Sequence, residues 1–126
     1  MLDYMLLTGI PWKAKVDDKG RMPLSEVIMT VVDAHYKQYA AQGNCIFVHE
    51  AEYGACCYTP LIYVARAEEL QLLERPPTDI QRLRHFSAER RNFDAQGRLV
   101  LPLWLRNASP LHVVPNGDHF ELHVNR

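Results

Sequence analysis

The chain has only three cysteines, Cys45, Cys56 and Cys57, and two of them are adjacent. They cannot all pair with one another, so a disulfide-built miniprotein is disfavoured and a reducing, cytoplasmic setting is expected. They also lack the paired Cys-x-x-Cys spacing of a structural zinc site, which leaves them a buried apolar role. No uncharged apolar run approaches the roughly 18 residues of a membrane span, so the chain is not expected to cross a bilayer. The stretch Met1 to Leu7 has no basic segment and carries Asp3, unlike a secretory signal. Charge of one sign is missing as well. The formal net charge is −1, which by itself argues against a nucleic-acid binder. There is no nucleophile elbow, phosphate loop or metalloprotease helix, so neither an enzyme nor a cofactor is expected.

What is present is a globular composition, 48% hydrophobic and 23% charged over 126 residues. That rules against disorder and collagen, and the length suits one domain or two small halves sharing a core. The charge is unevenly placed. Trp12 to Arg21 holds four bases (Lys13, Lys15, Lys19, Arg21) against Asp17 and Asp18, for +2. Arg82 to Arg98 holds five (Arg82, Arg84, Arg90, Arg91, Arg98) against Glu89 and Asp94, for +3, so the remainder carries −6.

Both basic segments contain one pattern. Val16-Asp17-Asp18-Lys19-Gly20-Arg21-Met22 matches Phe93-Asp94-Ala95-Gln96-Gly97-Arg98-Leu99, 77 residues on (17 to 94, 21 to 98). Each copy predicts a tight β-hairpin, with Asp opening the turn, Gly accepting positive φ, and flanking apolar residues resuming a strand. Alternation before the first turn puts Lys13 and Lys15 on one face, opposite Trp12, Ala14 and Val16. Before the second, Arg91 and Phe93 share one face, Arg90 and Asn92 the other. After the first hairpin, Ser25 to Tyr36 predicts a helix continuing towards a stop at Gly43. After the second, Pro102 to Ala108 predicts a short helix with proline at its first position. Each half then predicts two more strands. Cys45 to Val48 turns near Gly54 into Cys56 to Tyr58, and Leu111 to Val114 turns at Asn116-Gly117 into Phe120 to Val124. Between the halves, Leu61 to Glu74 predicts a helix begun by Pro60 and ended by Pro76-Pro77.

A hairpin–helix–hairpin unit of about 45 residues buries little core alone, whereas two packed together share one. The expected fold is therefore α+β: a single domain over 1–126, built from two β-β-α-β-β halves of about 8–75 and 78–126 in a pseudo-twofold pair.

The repeated Asp-x-x-Gly-Arg hairpins in this order of elements resemble the MraZ family, bacterial cytoplasmic regulators of the cell-wall and division gene cluster. That family belongs to the AbrB-like, swapped-hairpin superfamily. The resemblance runs from about Thr8 to Val124 and is strongest over Asp94 to Pro102 followed by Leu105-Arg106. Phe120-Glu121-Leu122 and Tyr58-Thr59-Pro60, with the helix carrying Glu68, Glu69 and Leu70, also resemble its segments. In the first copy Pro23 lies two residues after Arg21, whereas Pro102 lies four after Arg98. The resemblance implies an AbrB-like swapped-hairpin β-barrel with flanking helices, a ring-like homo-oligomer, and binding of double-stranded promoter DNA in the cytoplasm. It assigns Arg21 the main DNA contact, with Lys13, Lys15 and Lys19 in support and Arg98 as the equivalent in the second half.

Other readings compete. Asp17–Arg21 and Asp94–Arg98 could be turn-bracing ion pairs. The chain could be an oligomeric scaffold of this fold without DNA binding, or an antitoxin-like module whose acidic remainder docks a basic protein. His119, Glu121 and His123 alternate and share a strand face, an arrangement that can bind a metal but is more simply a solvated face. His35, His49, His85 and His112 have no interpretable spacing. Trp12, Trp104, Tyr36 and Tyr39 read as packing residues, and the stretch Val27 to Tyr39, apolar nearly all round, as a candidate subunit contact.

Overall fold

The computed structural model describes residues 5–38, 45–72, 87–108 and 110–124. Strands β1 (Trp12–Ala14) and β2 (Arg21–Pro23) precede helix α1 (Glu26–Gln38). Strands β3 (Cys45–Ala51) and β4 (Gly54–Tyr58) lead to helix α2 (Pro60–Leu72). The chain resumes with β5 (Glu89–Asn92), β6 (Arg98–Val100), a 3-10 turn over Leu103–Leu105, β7 (Leu111–Asn116) and β8 (His119–Val124). The fold is α+β, with two helices and a mostly antiparallel sheet among the described residues. Gly43, Glu74 and Pro76-Pro77, the expected helix stops, lie outside them, as do Tyr39, Arg82, Arg84 and His85.

Six strands form one sheet in the order β1-β7-β8-β4-β3-β5, and β2 pairs with β6 in a separate ribbon. The six-stranded sheet is open. The expected hairpins are corrected here. The two strands flanking each repeated turn leave it for different partners: β1 joins β7, β2 joins β6, and β5 joins β3. Strand β3 pairs with β4 and β7 with β8 as expected, and β4 lies against β8 in the middle of the sheet.

Period-2 alternation decides which side chains go inward. Ala14, Ile46, Val48, Ala55, Cys57, Leu111, Val113, Phe120 and Leu122 face one side and are buried. Against them pack Met22 and Leu99 from the ribbon and the α1 residues Ile28, Val31 and Val32. With His35 these helix positions recur at i, i+3, i+4 and i+7, a single stripe, so the rest of α1 is free to be polar or exposed. Ser25 starts α1 as its N-cap, its Oγ accepting from the Ile28 N–H at 3.2 Å. Buried His35 accepts from or donates to Thr59 at 2.6 Å through Nδ1, while Nε2 donates to the Met5 carbonyl at 2.8 Å, tying α1 to the start of α2. Burial holds that imidazole below its ordinary pKa.

The opposite face of the sheet is covered in part by α2, where Leu61 and Ile62 pack on Cys56 and Tyr58. Phe47 stacks on Tyr63 at 4.1 Å between ring centres.

The expected helix over 102–108 is a single 3-10 turn instead. Pro102 takes an extended ψ of 151° and precedes the turn as its N-cap, and the bonds that follow, from Leu105 to Pro102 (3.0 Å) and Ala108 to Leu105 (3.2 Å), span three residues. Trp104 is corrected too. It is 45% exposed, with its indole N–H donating to Glu89 Oε1 at 3.0 Å.

Candidate functional site

Each repeated turn is built around its aspartate. Asp17 accepts from the N–H of Lys19 (3.0 Å), the N–H of Arg21 (2.8 Å) and Arg21 Nε (2.7 Å). Asp94 accepts from the N–H of Gln96 (3.0 Å), the N–H of Arg98 (3.0 Å) and Arg98 Nε (2.8 Å). The Gly N–H closes each turn onto the Asp carbonyl, at 3.1 and 3.0 Å, with φ of 75° at both Gly20 and Gly97. The backbone N–H of the arginine, above all, and then its guanidinium hold both carboxyls below the usual aspartate range. The Asp–Arg ion pairs are thus made in both copies.

The ribbon then joins the two turns. Arg21 lies opposite Val100 and Arg98 opposite Pro23, with Met22 opposite Leu99. Met22 and Leu99 point inward and are fully buried, so Arg21 and Arg98 stand together on the outward face. Strand spacing places their Cα atoms about 8 Å apart on the diagonal. The ends of the ribbon are exchanged: the Leu24 N–H donates to the Gly97 carbonyl (2.8 Å) and the Leu101 N–H to the Gly20 carbonyl (2.9 Å). In each arginine Nε is spent on aspartate, and the two terminal nitrogens carry no hydrogen bond among the described residues. Lys19, exposed in the first turn, lies beside Arg21 in the chain. Lys13 and Lys15 are exposed as well, but Lys13 is on edge strand β1, opposite His112, and so belongs to the larger sheet.

A second constellation lies on the α2-covered side of the sheet, and the alternation of His119, Glu121 and His123 pointed to only part of it. Register sets Cys56 between His49 of β3 and Glu121 of β8. His119 donates from Nδ1 to Asp118 (2.6 Å) and from Nε2 to Glu121 (3.1 Å), and His123 lies 2.8 Å from the other Glu121 oxygen. Arg66 of α2 grips both Asp118 oxygens at 2.8 to 3.0 Å and sits over the Tyr58 ring. The expected solvated face is therefore a linked and largely covered network, with the His119 and Glu121 side chains 13% and 14% exposed. No group of three His, Cys, Asp or Glu among the described residues is arranged to hold a metal ion.

Electrostatics follow from those contacts. Burial alone would lower the His119 pKa, but hydrogen bonds to Asp118 and Cys56 raise it to about 10. Burial would raise Glu121, yet donation from His123, Asn116 and His119 holds it at about 2. Burial pushes the Cys56 thiol up, and its hydrogen bonds to His119 and His49, with the His119 charge, outweigh this and bring it down to about 6. Cys56 is buried against Leu61 and Ile62, as expected of the cysteines, and also shares the strand face of His119 and Glu121. Alternation could flag His119, Glu121 and His123 as neighbours, but only the pairing of β4 with β8 adds the cysteine.

Neither a family model nor a curated protein matches the chain. Among the described residues, no helix is long and apolar enough to cross a membrane.

Proposed function

We propose that the chain is a sequence-specific DNA-binding transcription regulator of the MraZ type, acting as a ring-like homo-oligomer on promoter DNA in the cytoplasm. The observation that carries this reading is the shared outward face of Arg21 and Arg98. Their guanidinium forks, braced at Nε, keep two nitrogens each for phosphate oxygens or for a guanine edge. Lys19 adds charge beside them, while Lys13 on β1 and Lys15 just after it supply exposed charge on the neighbouring sheet edge. One subunit presents few charges, so affinity would come from many copies on one duplex.

The fold reading belongs to the same proposal: two pseudo-twofold halves joined in the AbrB-like swapped-hairpin manner. Trp12 faces Val113 and Glu89, 77 residues on, faces Val48. These pairings suit one axis between β4 and β8, through the facing residues Cys56 and Glu121. The duplicated turns and exchanged ribbon ends support it further.

One observation favours a DNA-free oligomeric scaffold instead. Asp17 and Asp94 partly neutralise the two arginines at 2.7 and 2.8 Å, and the net charge is −1. Affinity for DNA upstream of the chain's own operon, measured against salt, separates the two. A regulator loses affinity steeply as salt rises. Arg21→Ala then weakens binding by on the order of tenfold or more and flattens the salt slope by about one per contacting subunit. A chain that forms its oligomer yet shows neither behaviour is a scaffold.

A further inference from the structure

We propose that Cys56, His119 and Asp118 form a thiol site that is oxidised by small peroxides, a modification site that does not depend on the DNA reading. The three come together because β4 and β8 are neighbours and Asp118 opens the turn into β8. Both ring nitrogens of His119 face carboxylate oxygens, which can only accept, so both must donate and the ring is an imidazolium. Arg66 fixes Asp118, and Asp118 fixes the ring. That arrangement leaves a lasting positive charge on the strand face of Cys56, one diagonal position away.

The titratable and charged groups around Cys56 come from several elements: His49 of β3, Tyr53 of the β3–β4 turn, Tyr58 of β4, Arg66 of α2, and His119 with Glu121 of β8. His49 and Glu121 are the direct cross-strand neighbours of Cys56, and His119, two residues before Glu121, is its diagonal neighbour on the same face. A thiolate is favoured over a neutral thiol near such a fixed cation. The other cysteines lack this setting. Cys57 points into the core opposite Val48 and Phe120, where burial pushes its thiol up, and Cys45 is fully buried at the start of β3.

Cys56 is 3% exposed, which selects for a small oxidant such as hydrogen peroxide. The thiolate sulfur attacks one peroxide oxygen, forming an S–O bond as the O–O bond breaks. The departing hydroxide takes a proton from the His119 imidazolium and leaves as water. Sulfur is oxidised by two electrons to the sulfenic acid, and the peroxide is reduced.

The test treats the whole protein with hydrogen peroxide, removes it with catalase, unfolds the chain, alkylates the remaining thiols and reads each cysteine by mass spectrometry. Cys56 should lose its thiol at least tenfold faster than Cys45 and Cys57, with a rate that rises through a midpoint near pH 6. His119→Gln should slow Cys56 at pH 7 by on the order of tenfold, checked on folded protein. If that variant does not fold, the wild-type pH profile decides. Cys56 surviving as long as the other two cysteines, or a midpoint at the ordinary thiol value of about 8.5, overturns the proposal.

Discussion

Glu121 shows how one side chain can make stability depend on pH. Its two oxygens receive Asn116 Nδ2 at 3.0 Å, His119 Nε2 at 3.1 Å and His123 Nε2 at 2.8 Å. The unfolded carboxyl titrates near its ordinary 4.5 and the folded one near about 2. A depressed folded pKa means the native state binds fewer protons, so the carboxylate's contribution is complete above 4.5 and is lost as pH falls through about 2. Glu121→Gln keeps the shape but presents an amide N–H₂ to imidazoles that were donating. We expect it to lower the unfolding free energy by about 2 kcal/mol at pH 7, from charged hydrogen bonds of ordinary strength. Denaturant titrations of both proteins should show the gap closing between pH 4.5 and about 2. A gap that is constant with pH would assign Glu121 a packing role instead.

At the scale of the element, the two repeated turns are alike in backbone and unlike in surroundings. Both glycines have φ of 75°, so an alanine at either is strained by about 1 to 2 kcal/mol. A Cβ at Gly97 would lie 3.5 Å from Met29, an ordinary contact, whereas one at Gly20 would fall 2.4 Å from Arg106 Nε and 2.9 Å from its Cγ. Arg106 Nε donates to the Leu101 carbonyl at 3.0 Å, so it cannot yield without losing that bond. Gly20→Ala should therefore cost about 1 kcal/mol more than Gly97→Ala, the worth of one such hydrogen bond, in equilibrium unfolding at neutral pH. The same contrast explains what could be read from residues alone. The Asp-x-x-Gly-Arg turn is local, each hydrogen bond spanning at most four residues, and both copies formed as expected. So did α1 and α2, whose apolar stripe and opening residues are also local. Strand partners are a different matter. Nothing between Lys13 and Met22 says that β1 will leave its own turn to pair with β7, because that choice is made by Trp12 and Ala14 against Val113 and Leu111 a hundred residues away. The Cys56 network was legible only in part for the same reason: alternation puts His119, Glu121 and His123 on one face, but Cys56 joins them only when register sets β4 beside β8. Pro102 misled in a simpler way, since a proline can precede a 3-10 turn as readily as it can begin an α-helix.

At the scale of the whole molecule, most of the pairing runs between the two stretches on either side of 73–86. Strand β1 bonds to β7, β2 to β6, β3 to β5 and β4 to β8, so among the described residues only β3–β4 and β7–β8 are two-stranded hairpins within one stretch. The core is divided likewise: Met22, Ile28 and Val48 from the first meet Leu99, Leu101 and Phe120 from the second. Separated, each stretch would keep one hairpin and expose the apolar residues that its partner covered, and an isolated hairpin is marginal in water. Residues 1–77 and 78–126 prepared as separate polypeptides should each melt without a cooperative transition. Mixed in equal amounts they should recover one transition and native-like circular dichroism. The midpoint should rise with concentration, because association now carries an entropic cost that the covalent link removes. A cooperative transition from residues 1–77 alone would show that β3, β4 and the two helices suffice as a domain, and that the exchanged strands decorate a core instead of making it.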